Sequence, residues 1–126
     1  MKRLFVAAAL AATSSVAAAQ GVTVTLSEFK LVMSKDTVKA GPVSFQVTNT
    51  GTMSHSFYVR GPGVDKGTRD LAAKEGAALS VTLKAGTYDV FCPMSDGSHK
   101  VAGMQHTLVV LPAAATPGPA KKKPGA

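Results

Sequence analysis

Through the middle of the chain, apolar and polar residues change places at every second position. Val22, Val24 and Leu26 alternate with Thr23 and Thr25, and Phe29, Leu31 and Met33 repeat the pattern after Glu28. Val43, Phe45 and Val47 alternate with Ser44, Gln46 and Thr48. Phe57 and Val59 follow His55, then Leu79, Val81 and Leu83, while Tyr88 to Phe91 and Thr107 to Leu111 are rich in β-forming residues. A period of two places alternate side chains on one face, which is the pattern of a half-buried strand. The runs break at Ala40-Gly41-Pro42, Thr50-Gly51, Gly61-Pro62-Gly63 and Ala85-Gly86, compositions that favour turns. The spacing predicts an all-β protein of seven to eight short strands, a sandwich or a barrel.

Two segments leave alternatives open. Thr68 to Glu75 (TRDLAAKE) has a composition that allows either a short helix or a turn between strands. Tyr88, entering a late strand just after Ala85-Gly86-Thr87, reads in two ways. It is either a tyrosine corner, its hydroxyl bonded back to the upstream backbone across a Greek-key crossing, or an ordinary half-buried strand tyrosine.

Both ends differ from this body. Residues 1–19 carry Lys2 and Arg3, an apolar run from Leu4 to Ala12 and a small-residue stretch ending Ala17-Ala18-Ala19. That is the layout of a cleavable secretory signal, with the cut expected between Ala19 and Gln20. The apolar run is too short to span a bilayer. The implied destination is the periplasm, reached by general secretion, since no twin arginine is present. Residues 112–126 (PAAATPGPAKKKPGA) show no apolar periodicity and are expected to be a disordered tail. Residues 20–111 remain as one domain, large enough for a single core.

Charge changes little once the ends are set aside. The formal net charge is +7, but Lys2, Arg3, Lys121, Lys122 and Lys123 lie outside the domain, which keeps about +2. No basic stripe with interleaved aromatics is visible, so nucleic-acid binding is not expected. The triple lysine reads as a solubilising tail or as a contact for an acidic partner or membrane surface.

Cysteine changes more. Cys92 is the only one, so no internal disulfide can form. A lone cysteine in an exported protein is buried, reactive, paired between molecules or metal-bound. It sits in YDVFCPMSDGSHKVAGMQHTLV, ahead of His99 and Met104, with His55 upstream in NTGTMSHSF. Taken singly, each has an ordinary reading: a buried thiol, a strand-edge histidine, a core methionine. Taken together, a thiolate, two imidazoles and a thioether suit copper, which alternates between sulfur-favouring Cu(I) and imidazole-accepting Cu(II). Zinc normally takes four Cys, His or carboxylate ligands, or three and a water, so a methionine in fourth place favours copper. Gly97 and Gly103 would let the loop curl, with Gly103 permitting close backbone approach. No Ser/His/Asp arrangement, phosphate loop or HExxH motif is present, and no catalytic activity is expected.

On these residues the chain resembles the small cupredoxins of the plastocyanin and azurin group. The matching motifs are Phe45-x-Val47-x-Asn49-x-Gly51 leading to His55-x-Phe57, Tyr88-x-x-Phe91-Cys92, and His99 followed by Gly103-Met104. The resemblance implies a Greek-key β-sandwich holding one type 1 copper, with His55, Cys92 and His99 as equatorial ligands and Met104 as the axial one. It implies that the Ser56 backbone N–H bonds to the cysteine sulfur. It also implies a monomeric one-electron carrier without a membrane span, exchanging electrons with redox proteins such as cytochromes through an exposed edge of His99. A copper-delivery protein using the same site is the alternative. Met53 and Met94 then either line an apolar mouth around His99, with Pro93, Val101 and Ala102, or pack the loops. The chain departs from the resemblance in the six residues between Cys92 and His99, in Pro93, in Ser56 and in His106, which reads as an exposed strand residue.

Overall fold

The computed structural model describes residues 18–113. The expected signal (1–19) and tail (112–126) therefore lie outside the described residues, apart from two positions at each boundary. No described helix is long and apolar enough to cross a membrane.

The alternating runs become strands. They are β1 (Gln20–Ser27), β2 (Lys30–Met33), β3 (Thr37–Lys39), β4 (Gly41–Asn49), β5 (Tyr58–Gly61), β6 (Val64–Gly67), β7 (Gly76–Leu83), β8 (Gly86–Phe91) and β9 (Gln105–Leu111), with one short helix, α1 (Ser98–Ala102), before β9. They form two sheets, ordered β2-β1-β4-β7 and β3-β9-β8-β5-β6. The chain crosses repeatedly between sheets, so non-consecutive strands become neighbours, as in a Greek-key sandwich. Pairs β1/β4 and β3/β9 are parallel and the rest antiparallel.

Among the described residues, nine strands stand where seven or eight were expected. The extra pair is β3 and β6, Thr-Val-Lys and Val-Asp-Lys-Gly. Each offers one apolar residue, too few to show a period. Both are edge strands, and their lysines and aspartate discourage further pairing. Thr68 to Glu75 takes the turn alternative. It has no helix, only a bridge from Leu71 to His55 and a turn at Ala73-Lys74.

The core is the set of inward residues that the alternation marked. Val22, Val24 and Leu26 of β1 lie beside Val43, Phe45 and Val47 of β4 on the inner face of one sheet, and Val59, Tyr88, Val90, Leu108 and Val110 close the core from the other sheet, all buried. Phe45 and Phe57 meet with ring centroids 5.1 Å apart. Burying each such side chain contributes about 1.5–3 kcal/mol, which makes this sandwich a stiff base for the loops at its end.

Tyr88 is a tyrosine corner. Its ring is buried and its hydroxyl donates to the Lys84 carbonyl at 2.8 Å. A Cβ at Gly61 would collide with the ring, so a bare backbone is needed there to seat it. Tyr88→Phe removes the donor and strands the Lys84 carbonyl, and is expected to cost about 1–2 kcal/mol. Urea unfolding of the two proteins at equal m-value checks this.

Candidate metal centre

All the candidate residues collect at one end of the sandwich. Strands β8 and β9 pair as far as Phe91 opposite Gln105. One step further, the Cys92 N–H donates to the Met104 carbonyl at 3.0 Å. The intervening residues form a closed loop. Ser95, Asp96 and Gly97 have positive φ (55°, 52° and 85°), which turns the chain sharply into α1. The six-residue gap after Cys92 is thus a tight turn feeding a helical turn that carries His99. The Met104 N–H returns to the His99 carbonyl at 3.1 Å. An ion pair between Lys100 and Asp89 (2.6 Å) ties α1 to β8.

His55 comes from the loop between β4 and β5. It was expected on a strand, but it lies just before β5, pinned by a two-way backbone bridge with Leu71 (3.0 and 2.8 Å). Asn49 organises this loop. Fully buried, it donates to the Met53 and Leu71 carbonyls (2.7 and 2.9 Å) and accepts the Gly51 N–H (2.9 Å). The last contact is an Asx-type turn, which the Asn-x-Gly spacing announces.

His55, Cys92 and His99 are brought together. They offer ligand atoms all within 4.8 Å of one another, and all three residues are buried. Cys92 Sγ lies 3.8 Å from His99 Nδ1, and the two imidazole centroids are 5.1 Å apart. The Ser56 backbone N–H donates to Cys92 Sγ at 3.5 Å, as the resemblance implied. Met104 is fully buried and joined through its backbone to both Cys92 and His99. His106 is an exposed residue of β9 outside the cluster. The two methionines in the loops near the cluster part company: Met94 packs against the core, while Met53 is exposed.

His99 requires a correction. An exposed ring edge was expected, but the residue is only 3 % exposed. The reason lies far upstream, in the two-residue turn between β1 and β2. There Phe29 adopts φ 57°, a left-handed conformation that is costly for a bulky side chain, and its ring stands edge-on to His99 at 5.4 Å. Phe29 itself is 43 % exposed. Ser95 Oγ lies 3.4 Å from His99 Nε2 on another side. Gly103, at φ 136°, lets the turn approach, since a Cβ there would lie 2.7 Å from the Phe29 carbonyl oxygen.

The other residue of the same turn, Glu28, was also missed. Its Oε1 accepts the Thr52 and Met53 N–H groups (2.7 and 2.8 Å) and lies 3.3 Å from His55 Nε2. The Met53 N–H above all, then that of Thr52 and the His55 ring, hold the Glu28 carboxyl down to about 2 from its ordinary 4.5, against the opposing pull of desolvation. No spacing rule would have found it, because a carboxylate on a hairpin turn is ordinarily solvated.

The donor set fits a copper ion. His55 Nδ1 is buried without a hydrogen-bond partner, an arrangement that costs free energy unless something occupies it. A cysteine sulfur that accepts an N–H and two imidazoles complete a soft and borderline set.

The cupredoxin-like domain family model matches residues 2–110. The chain belongs to this family. Its cupredoxin fold recurs in dithionite-reduced auracyanin from the photosynthetic bacterium Roseiflexus castenholzii, at TM-score 0.63 and 19 % identity over 75 % of this chain and 99 % of that one. The blue copper oxidase of Nitrosomonas europaea matches at TM-score 0.61 and 15 % identity, over 81 % of this chain. The copper-containing nitrite reductase of Thermus scotoductus matches at 0.55 and 17 %, over 75 %. This cupredoxin spans 41 % and 28 % of those two enzymes. Comparison with curated protein sequences found no match.

A depressed carboxyl contributes stability above its unfolded value and loses it as pH falls toward its folded value. The contribution of Glu28 is therefore full above about 4.5 and is lost between there and about 2. The metal-free protein is expected to lose stability across that window more steeply than Glu28→Gln. Denaturant unfolding of both across the acid range measures the difference in slope.

Proposed function

We propose that the protein is an exported one-electron carrier that holds one copper ion on His55, Cys92, His99 and Met104. The observation that carries the reading is the buried His55–Cys92–His99 cluster, with its unpaired Nδ1 and its N–H on the sulfur. Bound there, copper supplies one-electron exchange between Cu(II) and Cu(I).

The chain's own residues do the rest. The β8–β9 loop and the His55 bridge fix three ligands before any metal arrives, so little rearrangement accompanies a change of charge. The Ser56 N–H withdraws charge from the thiolate, which raises the potential. Met104 supplies a thioether from the strand entrance. Burial of the whole cluster excludes water and favours retention of the ion over its delivery. Of three histidines in the chain, two serve this site, and His106 alone cannot furnish the further cluster that a copper oxidase or nitrite reductase needs. Residues 1–19 direct the protein to the periplasm, where its partners are other redox proteins.

Electrons reach the surface by way of Phe29. Its ring bridges between the buried His99 and solvent, taking the place of an exposed histidine edge. Met53, also exposed, adds apolar surface on the loop that leads to His55, suited to brief, weak docking.

The copper(II)-loaded protein is expected to show intense visible thiolate-to-copper absorption that Cys92→Ser abolishes. A colourless complex, or colour retained in the variant, sinks the reading. Saturating copper at roughly a hundredfold above Kd should stabilise the native state by about 2.7 kcal/mol, and calorimetry of apo and loaded protein reads this as a higher Tm. Phe29→Ala removes that bridge, so stopped-flow oxidation of the reduced protein by a small inorganic oxidant should slow while the copper(II) protein keeps its visible band. An unchanged rate would remove Phe29 from the path.

A further inference from the structure

We propose that Glu28 is a positioning residue that locks His55 in the tautomer protonated at Nε2 and so aims its Nδ1 lone pair into the cluster. The proposal deepens the copper reading and rests on it for the use made of Nδ1, but its first test needs no metal.

The protonation pattern follows from the contacts of a single oxygen. Glu28 Oε1 lies 2.7 Å from the Thr52 nitrogen and 2.8 Å from the Met53 nitrogen. Backbone amides can only donate, so Oε1 is acting as an acceptor. Its third neighbour, His55 Nε2 at 3.3 Å, is compatible with that oxygen only as an N–H. The reverse tautomer would set a ring lone pair against a carboxylate oxygen. A neutral imidazole with its proton on Nε2 keeps a lone pair on Nδ1, and Nδ1 is the buried ring atom without a partner.

The carboxylate is held by three contacts on one oxygen. A Cβ at Gly51 would collide with it, so a bare backbone is needed on that side for the acid to sit where it does. Glu28 is also a turn residue, held from behind by the β1/β2 register in which Ser27 pairs with Lys30. The His55 backbone is fixed independently by Leu71. What remains to be set is the rotation and tautomer of the ring, and Glu28 is the side chain that touches Nε2. A carboxylate on the far nitrogen also adds negative charge near the site, which favours the more highly charged oxidation state of a bound ion.

The experiment compares wild type, Glu28→Gln and Glu28→Ala. In the metal-free proteins at mildly alkaline pH, imidazole ¹⁵N shifts report the tautomer. Wild-type His55 should show a protonated Nε2 and a bare Nδ1. Glu28→Gln keeps an acceptor oxygen, so it should keep the tautomer. Glu28→Ala should give a mixture of tautomers and bind copper(II) roughly 10- to 100-fold more weakly, the usual loss when such a partner is removed. In the copper-loaded proteins, Glu28→Gln should lose less copper(II) affinity than Glu28→Ala and raise the reduction potential, since only the charge is gone. A merely structural glutamate would not produce that split. Wild-type His55 protonated at Nδ1, an unchanged tautomer and affinity in Glu28→Ala, or an unchanged potential in Glu28→Gln would each overturn the proposal. If Glu28→Ala fails to fold, the wild-type tautomer and the Glu28→Gln potential still decide. Loss of the coloured complex in wild type would instead overturn the copper reading and leave the tautomer result standing.

Discussion

One backbone hydrogen bond, from the Cys92 N–H to the Met104 carbonyl, holds the metal end of this protein together. It extends the β8–β9 ladder by one step beyond the strands, so the loop carrying His99 starts and ends on a rigid base. With that base fixed, a turn of consecutive left-handed residues and one helical turn suffice to bring His99 beside the thiol. The sandwich beneath provides the stiffness, because its inner faces are packed by Val, Leu and Phe side chains whose positions are hard to change.

The second organising element is less expected. The tip of the β1–β2 hairpin reaches across the end of the sandwich and attends to both histidines. Glu28 meets the outer nitrogen of His55, and Phe29 stands against His99. This makes the centre drier than an exposed-histidine arrangement. It also puts an apolar ring, in place of an imidazole edge, at the surface beside the cluster. The cost is a phenylalanine in a left-handed conformation, a kind of local strain that persists only where the surroundings enforce it.

Much of this was legible in the sequence because it is local. Period-two alternation marks β1, β4 and β7 and their buried residues, and the tyrosine corner reaches back only from Tyr88 to Lys84. The meeting of His55, Cys92 and His99 at one site was legible from the chemistry of their side chains in family order. Strands β3 and β6 escaped because one apolar residue has no period. The burial of His99 and the contact of Glu28 escaped because both arise from segments distant in sequence that meet only after the sheets form. An acid on a turn looks the same whether it faces water or two backbone amides.

The shortest connection at this end of the molecule is therefore its least adjustable. Surface hairpins usually tolerate insertion and deletion, and a protein engineer would choose this one first for grafting a peptide or tag. Here a single added residue would rotate the acid and the ring off their two histidines together. Variation in loop length should be found instead between Cys92 and His99, where the closing backbone bond absorbs it.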